Sequence, residues 1–465
     1  MGCFAYINLV SGSTNNFWSK FYIMASQFNL LTTRRFLPMF LTQFFGALND
    51  NVFKQSLLLV FTYQLVSSSS FDTSTLNNLA ALLFVLPYFL FSATAGQIAD
   101  RYEKAHLTRW LKGAEIVIMS LATIGFLTKQ LWLLLVALFL MGTHSTFFGP
   151  IKYAILPQIL TEKELMSGNA LFQTGTSLAI LFGMILGGVV MAQSDGNLIW
   201  ISLTVIGIAL AGFISARFLL QQPINAPDLT VNWNFLSTSM STLKYSYQIP
   251  SVFFAILGIS WFWFYGATYL TQIPQLTQQL LHGNETVVSL LLTLFSIGVD
   301  VGSLLCRRLS GAEVTLKLVP FGAIGLSVFA IDLFFAILGL PALDSTTTTN
   351  QLLGIGDIFT QRAYWRVMFD IVMLGLSGGF YIVPLYAYLQ EQSPETHRAR
   401  IIASNNILNA LFMVVSAVIS IVVLSLLKLS LASLFLFTAL LNAVVCFLVL
   451  NKLRRLPSNS QKPSF

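Results

Sequence analysis

Two charged residues stand inside the first long apolar run of the chain, where charge is costly. Asp50 and Lys54 are four residues apart, and Asn49 and Asn51 flank the acid. Residues four apart lie on one helix face and can pair, so one interpretation is a neutralised pair that holds helices together. The other is the lining of a binding cavity, because ionisable groups at membrane depth usually serve function. We favour the cavity, since the two amides add polar groups there. Asp50 would then bind an ammonium group or a coupling cation.

Four more charged residues lie in or at the ends of later apolar runs. Lys152 is either an ordinary charge at a membrane boundary or a contact for an anion, for which a lysine ammonium is a compact partner. We predict that Asp370 lines the cavity and that Asp332 packs against another polar group. Asp300 is expected near a gate on the inner side.

The composition makes such charges exceptional. The chain has 465 residues, of which 55% are hydrophobic and 9% charged, whereas soluble proteins carry about 25% charged residues. Lipid must therefore be its solvent. The net charge of +7 does not indicate nucleic-acid binding, because the Lys and Arg residues are scattered between apolar runs. The three cysteines lie far apart and predict neither a metal site nor a disulfide framework, and no cofactor is predicted.

Twelve runs are long and apolar enough to be membrane helices, which need about 20 residues each. They lie near 37–66, 77–98, 107–128, 131–154, 167–191, 198–219, 250–277, 286–308, 314–340, 364–389, 399–426 and 430–452. This predicts an all-α membrane protein of two six-helix halves, 36–220 and 249–453. A cytoplasmic linker, 221–248, joins them, and tails of 1–35 and 454–465 flank them.

Orientation follows from the basic residues, which favour the cytoplasmic side of a membrane. With both termini inside, all 25 Lys and Arg residues fall on the cytoplasmic side except Lys54 in the first run and four others. Those four are Lys129, Arg362, Arg366 and Lys428. Both termini are therefore predicted to be cytoplasmic, and residues 341–363 to form an external loop.

A motif ends the second run as Gly96-Gln97-Ile98-Ala99-Asp100-Arg101-Tyr102-Glu103-Lys104. It resembles the signature of the major facilitator superfamily and implies a cytoplasmic gate. The glycine would let two helices approach closely, and the acid would accept hydrogen bonds from a helix N-terminus. A degenerate copy, Gly302 to Arg308, has Cys306 where the first has Asp100. The predicted gating residues are Gly96, Asp100, Arg101, Lys104, Arg307 and Arg308, and the repeat favours a twelve-helix major facilitator bundle.

Longer motifs sharpen the resemblance. They are Phe45-Gly46-Ala47-Leu48-Asn49-Asp50-Asn51-Val52-Phe53-Lys54, Phe148-Gly149-Pro150-Ile151-Lys152-Tyr153, Leu318-Val319-Pro320-Phe321-Gly322, Gly378-Gly379-Phe380-Tyr381-Ile382-Val383-Pro384 and Ala403-Ser404-Asn405-Asn406-Ile407-Leu408-Asn409. Over about residues 36–452 the chain resembles the bacterial lysophospholipid transporter family. The resemblance is to the form fused to acyl-acyl-carrier-protein synthetase and 2-acylglycerophosphoethanolamine acyltransferase domains.

The resemblance implies a transporter in the bacterial inner membrane, and we expect it to be a monomer. It would move lysophosphatidylethanolamine and related lysolipids from the outer to the inner leaflet, where a separate acyltransferase restores the second chain. The substrate-binding residues would be Asn49, Asp50, Asn51, Lys54, Lys152 and Asp370, with Lys152 on the phosphate. The membrane lipids themselves would be further partners.

Besides a scaffold role for the synthetase-acyltransferase, two other functions stay open. One is a major facilitator exporter of drugs or small metabolites. The other, a membrane acyltransferase, is disfavoured because none of His106, His144, His282 or His397 is followed by the aspartate that such an enzyme needs as the partner of its base. We therefore do not expect an enzyme.

Overall fold

The computed structural model describes residues 28–60, 73–193, 197–310, 314–340 and 353–455, which are mostly helical. Twelve long helices are numbered here in chain order. They are α1 Leu37–Val60, α2 Thr73–Arg101, α3 Lys104–Thr128, α4 Leu131–Ala154, α5 Glu162–Gln193, α6 Ile199–Arg217, α7 Pro250–Gln279, α8 Glu285–Ser310, α9 Val319–Leu338, α10 Arg362–Gln392, α11 Arg398–Ile421 and α12 Leu431–Arg455. Short helices Leu156–Ile159 and Ile355–Thr360 lie between them, and a π-helical turn, Val422–Leu426, extends α11.

Eleven of these helices, α2 to α12, are long and apolar enough to cross a membrane. Helix α1 has 24 residues, or about 36 Å at a rise of about 1.5 Å per residue, which also exceeds a hydrocarbon core of about 30 Å. It is more polar because Asp50, Lys54 and several amides lie within it. The prediction of an all-α bundle is confirmed.

Each half is held together by helices that touch at glycines. A Cβ atom on Gly142 of α4 would lie 2.5 Å from the Phe84 carbonyl oxygen of α2. In the second half, a Cβ on Gly375 of α10 would lie 2.2 Å from the Phe295 carbonyl oxygen of α8. Only glycine permits such backbone contact, and the same pairing of helices in both halves agrees with a duplicated architecture.

All twelve predicted runs contain a helix, and the differences lie at the ends. Helix α5 begins at Glu162 rather than 167 because Glu164 accepts hydrogen bonds from the backbone and hydroxyl of Thr161 and so caps the first turn. Helix α9 begins at Val319 rather than 314, with Pro320 in its first turn. Residues 61–66, most of the N-terminal tail, most of the 341–363 loop and nearly all of the C-terminal tail lie outside the described residues.

The linker differs from its prediction because half of it is helical. A linker helix, Phe235–Gln248, begins after Asn234, whose side chain accepts a hydrogen bond from the Ser237 backbone. The segment before it runs along one end of the bundle: the Ala226 backbone donates to the Asp100 carbonyl, and the Asn225 side chain donates to the Glu395 carbonyl. We call this end of the bundle the linker side.

Candidate functional site

A cavity of about 390 Å³ lies between the two halves. Its walls come from α1, α2, α4 and α5 of the first half and from α7, α10 and α11 of the second half. The lining residues are Gln43, Gly46, Ala47, Asp50, Asn51, Lys54, Phe84, Val85, Tyr88, His144, Ser145, Phe148, Gly149, Lys152, Tyr153, Thr176, Ile180, Trp263, Tyr386, Asn406, Asn409, Ala410 and Met413. Of the six predicted substrate-binding residues, Asp50, Asn51, Lys54 and Lys152 are in this set.

Asp50 and Lys54 both face the cavity. They do not form the ion pair that one interpretation of the sequence predicts. Asp50 accepts a hydrogen bond from the Ser145 hydroxyl at 2.8 Å, and its other oxygen is buried without a partner among the described residues. Lys54 Nζ lies 4.4 Å from the centre of the Phe84 ring. The arrangement leaves both groups with unused hydrogen-bonding capacity.

Lys152 is the third charged residue of the wall. The last turn of α4 carries it, and its Nζ lies 5.1 Å from the centre of the Tyr153 ring. Within the described parts of the chain it makes no hydrogen bond or ion pair. A partly buried ammonium of this kind can bind an anion that enters the cavity.

The wall from the second half is neutral in the part of the chain that the structure describes. Its polar groups are largely engaged: the Trp263 indole donates to the Tyr386 hydroxyl at 3.2 Å, and the Ser260 hydroxyl donates to Asn409 at 2.9 Å. Met413 and Ala410 add apolar surface. The charged side chains of the cavity therefore come from the first half, whereas the second half supplies aromatic, amide and apolar side chains.

Asn49, predicted as a cavity residue, lies elsewhere. It is buried, and its amide donates to Glu115 at 2.8 Å. The reason is helical geometry: at about 100° per residue, Gly46, Asp50 and Lys54 share one face of α1, whereas Asn49 points away from it. The motif alone did not separate these faces.

Asn49 belongs to a buried polar cluster that sequence reasoning missed. Lys112 Nζ lies 2.6 Å from Glu115 on α3, and both side chains are fully buried. The His144 ring lies 3.6 Å from the same carboxylate and reaches the cavity wall. The sequence signal was available, because Lys112 and Glu115 lie three apart within an apolar run, but Lys112 was counted only among the cytoplasmic basic residues.

Asp370 also lies outside the cavity wall. It is buried on α10, where Asp332 and Arg366 are its charged neighbours. Asp332 itself pairs with Arg366 and so joins α9 to α10, in agreement with its predicted packing against a polar group. Asp300 is buried on α8 near Ser177 of α5.

The linker-side floor of the cavity is made by contacts between the halves. The rings of Tyr153 on α4 and Tyr386 on α10 stack with centres 4.7 Å apart and planes 5° apart. Beside them, the amides of Asn169 and Gln390 exchange hydrogen bonds of 2.7 and 3.0 Å. All four residues lie near helix ends on the linker side, so the halves are closed there.

Asp100 adds a charged contact to this closed end. Its carboxylate accepts hydrogen bonds from the Ala399 and Arg400 backbone at 3.0 and 3.2 Å, and from the Arg400 guanidinium at 3.1 Å. Ala399 and Arg400 open α11, so an acid from the first half caps a helix of the second. Next to it, a Cβ on Gly96 would lie 2.7 Å from Ala403 Cβ and 2.9 Å from Arg400 Cα.

The other predicted gating residues are placed differently. Arg101 lies over the neighbouring Tyr102 ring, and Lys104 is buried against Asn225 of the linker. Arg307 donates to the Lys163 carbonyl across the two halves at 2.9 Å, and Arg308 is half-buried on α8.

The degenerate copy of the motif makes a different contact. Gly302 packs on the Leu376 backbone, and the Cys306 thiol faces the Gly379 carbonyl, so both contact α10 of their own half. The two copies are therefore not equivalent.

Solved structures share this architecture. The human organic anion transporter MFSD10 (TETRAN) superposes with a TM-score of 0.71 over 90% of this chain and 99% of its own, at 11% identity. A bacterial homologue of the iron transporter ferroportin in an outward-facing state superposes with a TM-score of 0.61 over 89% of this chain and 99% of its own, at 16% identity. At such identities the likeness concerns the fold alone.

Among curated proteins the chain is similar to lysophospholipid transporters named LplT. That of Enterobacter sp. (strain 638) is 24% identical over 76% of this chain and 79% of its own length. The transporter of Photorhabdus laumondii is 24% identical over 79% of this chain and 82% of its own length. The transporter of Escherichia fergusonii is 25% identical over 76% of this chain and 79% of its own length.

The sequence profile of the Major Facilitator Superfamily matches residues 39–366, which is more than half of the chain. It begins in α1 and reaches α10, so it includes the charged residues of the cavity wall and Asp100, but not the partners of Asp100 on α11. With the helical bundle and the cavity between its halves, this match establishes that the chain belongs to the Major Facilitator Superfamily.

Proposed function

We propose that this protein moves lysophospholipids across a bacterial inner membrane, from the outer to the inner leaflet. The observation that carries the proposal is the composition of the cavity: its charged side chains come from the first half, and aromatic, amide and apolar side chains complete the lining. A lysolipid likewise combines a charged head group with a single acyl chain. The cavity volume of about 390 Å³ lies within the usual range of about 300–1,000 Å³ for ligand pockets.

The head group of lysophosphatidylethanolamine would find a partner for each of its charges. Lys152 would bind the phosphate, with Lys54 as a second cation nearby. Asp50 would bind the ammonium through the oxygen that has no hydrogen-bond partner among the described residues. Both contacts are charge-assisted hydrogen bonds, the stronger class of such bonds. The names of the relatives, lysophospholipid transporters, support the same substrate class.

The direction of movement depends on orientation. The basic residues favour a cytoplasmic linker side with both termini on it. The closed end at Asp100 would then face the cytoplasm, and the cavity would receive lysolipid from outside. Transport by alternating access requires this end to open while the opposite end closes. A separate acyltransferase inside would use the product, and the transporter itself would not be an enzyme.

Binding tests the proposal directly. In lipid nanodiscs we expect lysophosphatidylethanolamine to raise the melting temperature of the protein, whereas a monoacylglycerol of equal chain length, which lacks the charged group, should not. The Lys152→Ala variant should lose most of the shift. Stabilisation by soluble cationic compounds, with no response to the lysolipid, would instead favour a drug or metabolite exporter.

A further inference from the structure

The linker helix has an unusual distribution of side chains. Its exposed side carries an apolar stripe, which begins at Trp233, two residues before the first residue of the helix. Trp233 is 74% exposed, Leu236 and Met240 are each 69% exposed, and Tyr247 is 67% exposed. Leu236, Met240 and Tyr247, spaced by four and seven residues, lie on one helical face, and Trp233 precedes Leu236 by three residues. Half-buried Leu243 completes the stripe.

The opposite side of the same helix is buried and mainly polar, although Tyr245 also lies there and stacks on His397 with ring centres 4.1 Å apart. Thr238, Thr242 and Ser246 are 0%, 5% and 1% exposed. Ser246 donates a hydrogen bond to the Ser404 hydroxyl of α11 at 3.0 Å, and the Thr238 hydroxyl donates to the Asn232 carbonyl at 3.0 Å. A helix between protein and water buries its apolar face and exposes its polar one. Here the arrangement is reversed, so water is the wrong medium for the exposed face.

The position of the helix identifies the medium. The Asn232 backbone, just before it, donates to Gln97, one turn from the end of α2. Ser404 lies less than two turns from the start of α11. The helix thus lies at the level where membrane helices end, which is where hydrocarbon meets head groups. Trp110 and Phe218, exposed by 70% and 65% at the linker-side ends of α3 and α6, continue the aromatic belt that marks such a level.

We propose that the linker helix lies in the lipid–water interface of the inner leaflet, with the Trp233, Leu236, Met240 and Tyr247 stripe inserted among the lipids. Exposed Lys244 beside the stripe would meet anionic head groups. Extended Ile249 separates this helix from α7, which allows the chain to turn from the surface into the membrane. The proposal holds for any substrate, so it does not depend on lysolipid transport.

The test uses the full-length protein in liposomes of phosphatidylethanolamine and phosphatidylglycerol. Cys3, Cys306 and Cys446 are replaced by alanine, and single cysteines at Leu236→Cys or Met240→Cys carry an environment-sensitive fluorophore. Ser241→Cys, exposed on the flank of the same helix, is the matched control, and buried Thr242→Cys marks full protection by protein. Each label is quenched in turn by aqueous iodide and by lipids brominated near the head group.

We expect the brominated lipid to quench the labels at 236 and 240 at least threefold more than the label at 241, and iodide to show the reverse order. Iodide quenching at 236 and 240 equal to that at 241, with little effect of the lipid quencher, would overturn the proposal in favour of a water-facing helix. Protection from both quenchers, as at 242, would overturn it in favour of a protein partner on the stripe.

Discussion

Asp50 and Lys152 are charged side chains of the cavity wall that keep hydrogen-bonding capacity for a ligand. Among the described residues, Asp50 uses one oxygen for Ser145, and Lys152 lies over an aromatic ring without a hydrogen bond or an ion pair. Neither forms an ion pair among the described residues, in contrast to Lys112 and Glu115 on α3, which pair with each other. Acidic and basic side chains therefore have two different roles within the first six-helix half.

Loss of either cavity charge should weaken lysolipid binding without unfolding the protein. A charge-assisted contact contributes about 1.5–3 kcal/mol, so Asp50→Ala and Lys152→Ala should each lower affinity about tenfold to a hundredfold. Lys152→Arg should retain only part of the parent affinity, because the guanidinium fork differs in shape from an ammonium. Titration in nanodiscs measures this, with exposed Lys317→Ala as the control. Parent-like affinity in both alanine variants would show that these charges do not bind the head group.

The buried pair should behave in the opposite way. Glu115→Gln leaves Lys112 buried without a countercharge, and breaking such a pair costs about 3–5 kcal/mol. We expect a large fall in melting temperature in detergent, and recovery of much of it when Lys112→Met is added, since no uncompensated charge then remains. A Glu115→Gln protein as stable as the parent would contradict a structural role for the pair.

At the scale of helices, the α2–α11 contact depends on Gly96. A Cβ there would lie within 3.0 Å of the Ala403 methyl group, the Arg400 Cα and the Ala399 carbonyl, so Gly96→Ala must push the two helices apart. We expect a cysteine at buried Ile402, which lies in the same closed end, to react with a water-soluble maleimide at least tenfold faster in this variant. Gly207→Ala is the control, since no atom lies within 4 Å of its added Cβ. Equal rates in both variants would mean that the contact does not hold the end closed.

Sequence reasoning located the helices better than it located side chains on them. Apolar length is a property of a whole run, so all twelve helices could be found. Which face of α1 meets the cavity depends on helix packing, and for this reason Asn49 was placed with Asp50 although it contacts Glu115. Asp370 was misplaced for the same reason. The linker helix escaped notice because its Ser and Thr residues give it a polar average, and only its burial pattern reveals the apolar stripe.

For the whole molecule, orientation decides the meaning of the closed end. Reporter fusions after residue 235 should read cytoplasmic, and a fusion within 341–360 should read external, because the basic residues concentrate on the linker side. A cytoplasmic signal from the 341–360 site would reverse the assignment of sides, and the cavity would then receive its substrate from the cytoplasm.

The central claim, that a lysophospholipid is the cargo, is tested most directly in proteoliposomes. Fluorescent lysophosphatidylethanolamine is added outside, and the fraction protected from a membrane-impermeant reductant is followed with time, in protein vesicles and in empty ones. We predict protection in vesicles that contain the parent protein, and a rate at least tenfold lower with Lys152→Ala. Protection no faster with the parent than in empty vesicles, with correctly inserted and folded protein, would contradict the account.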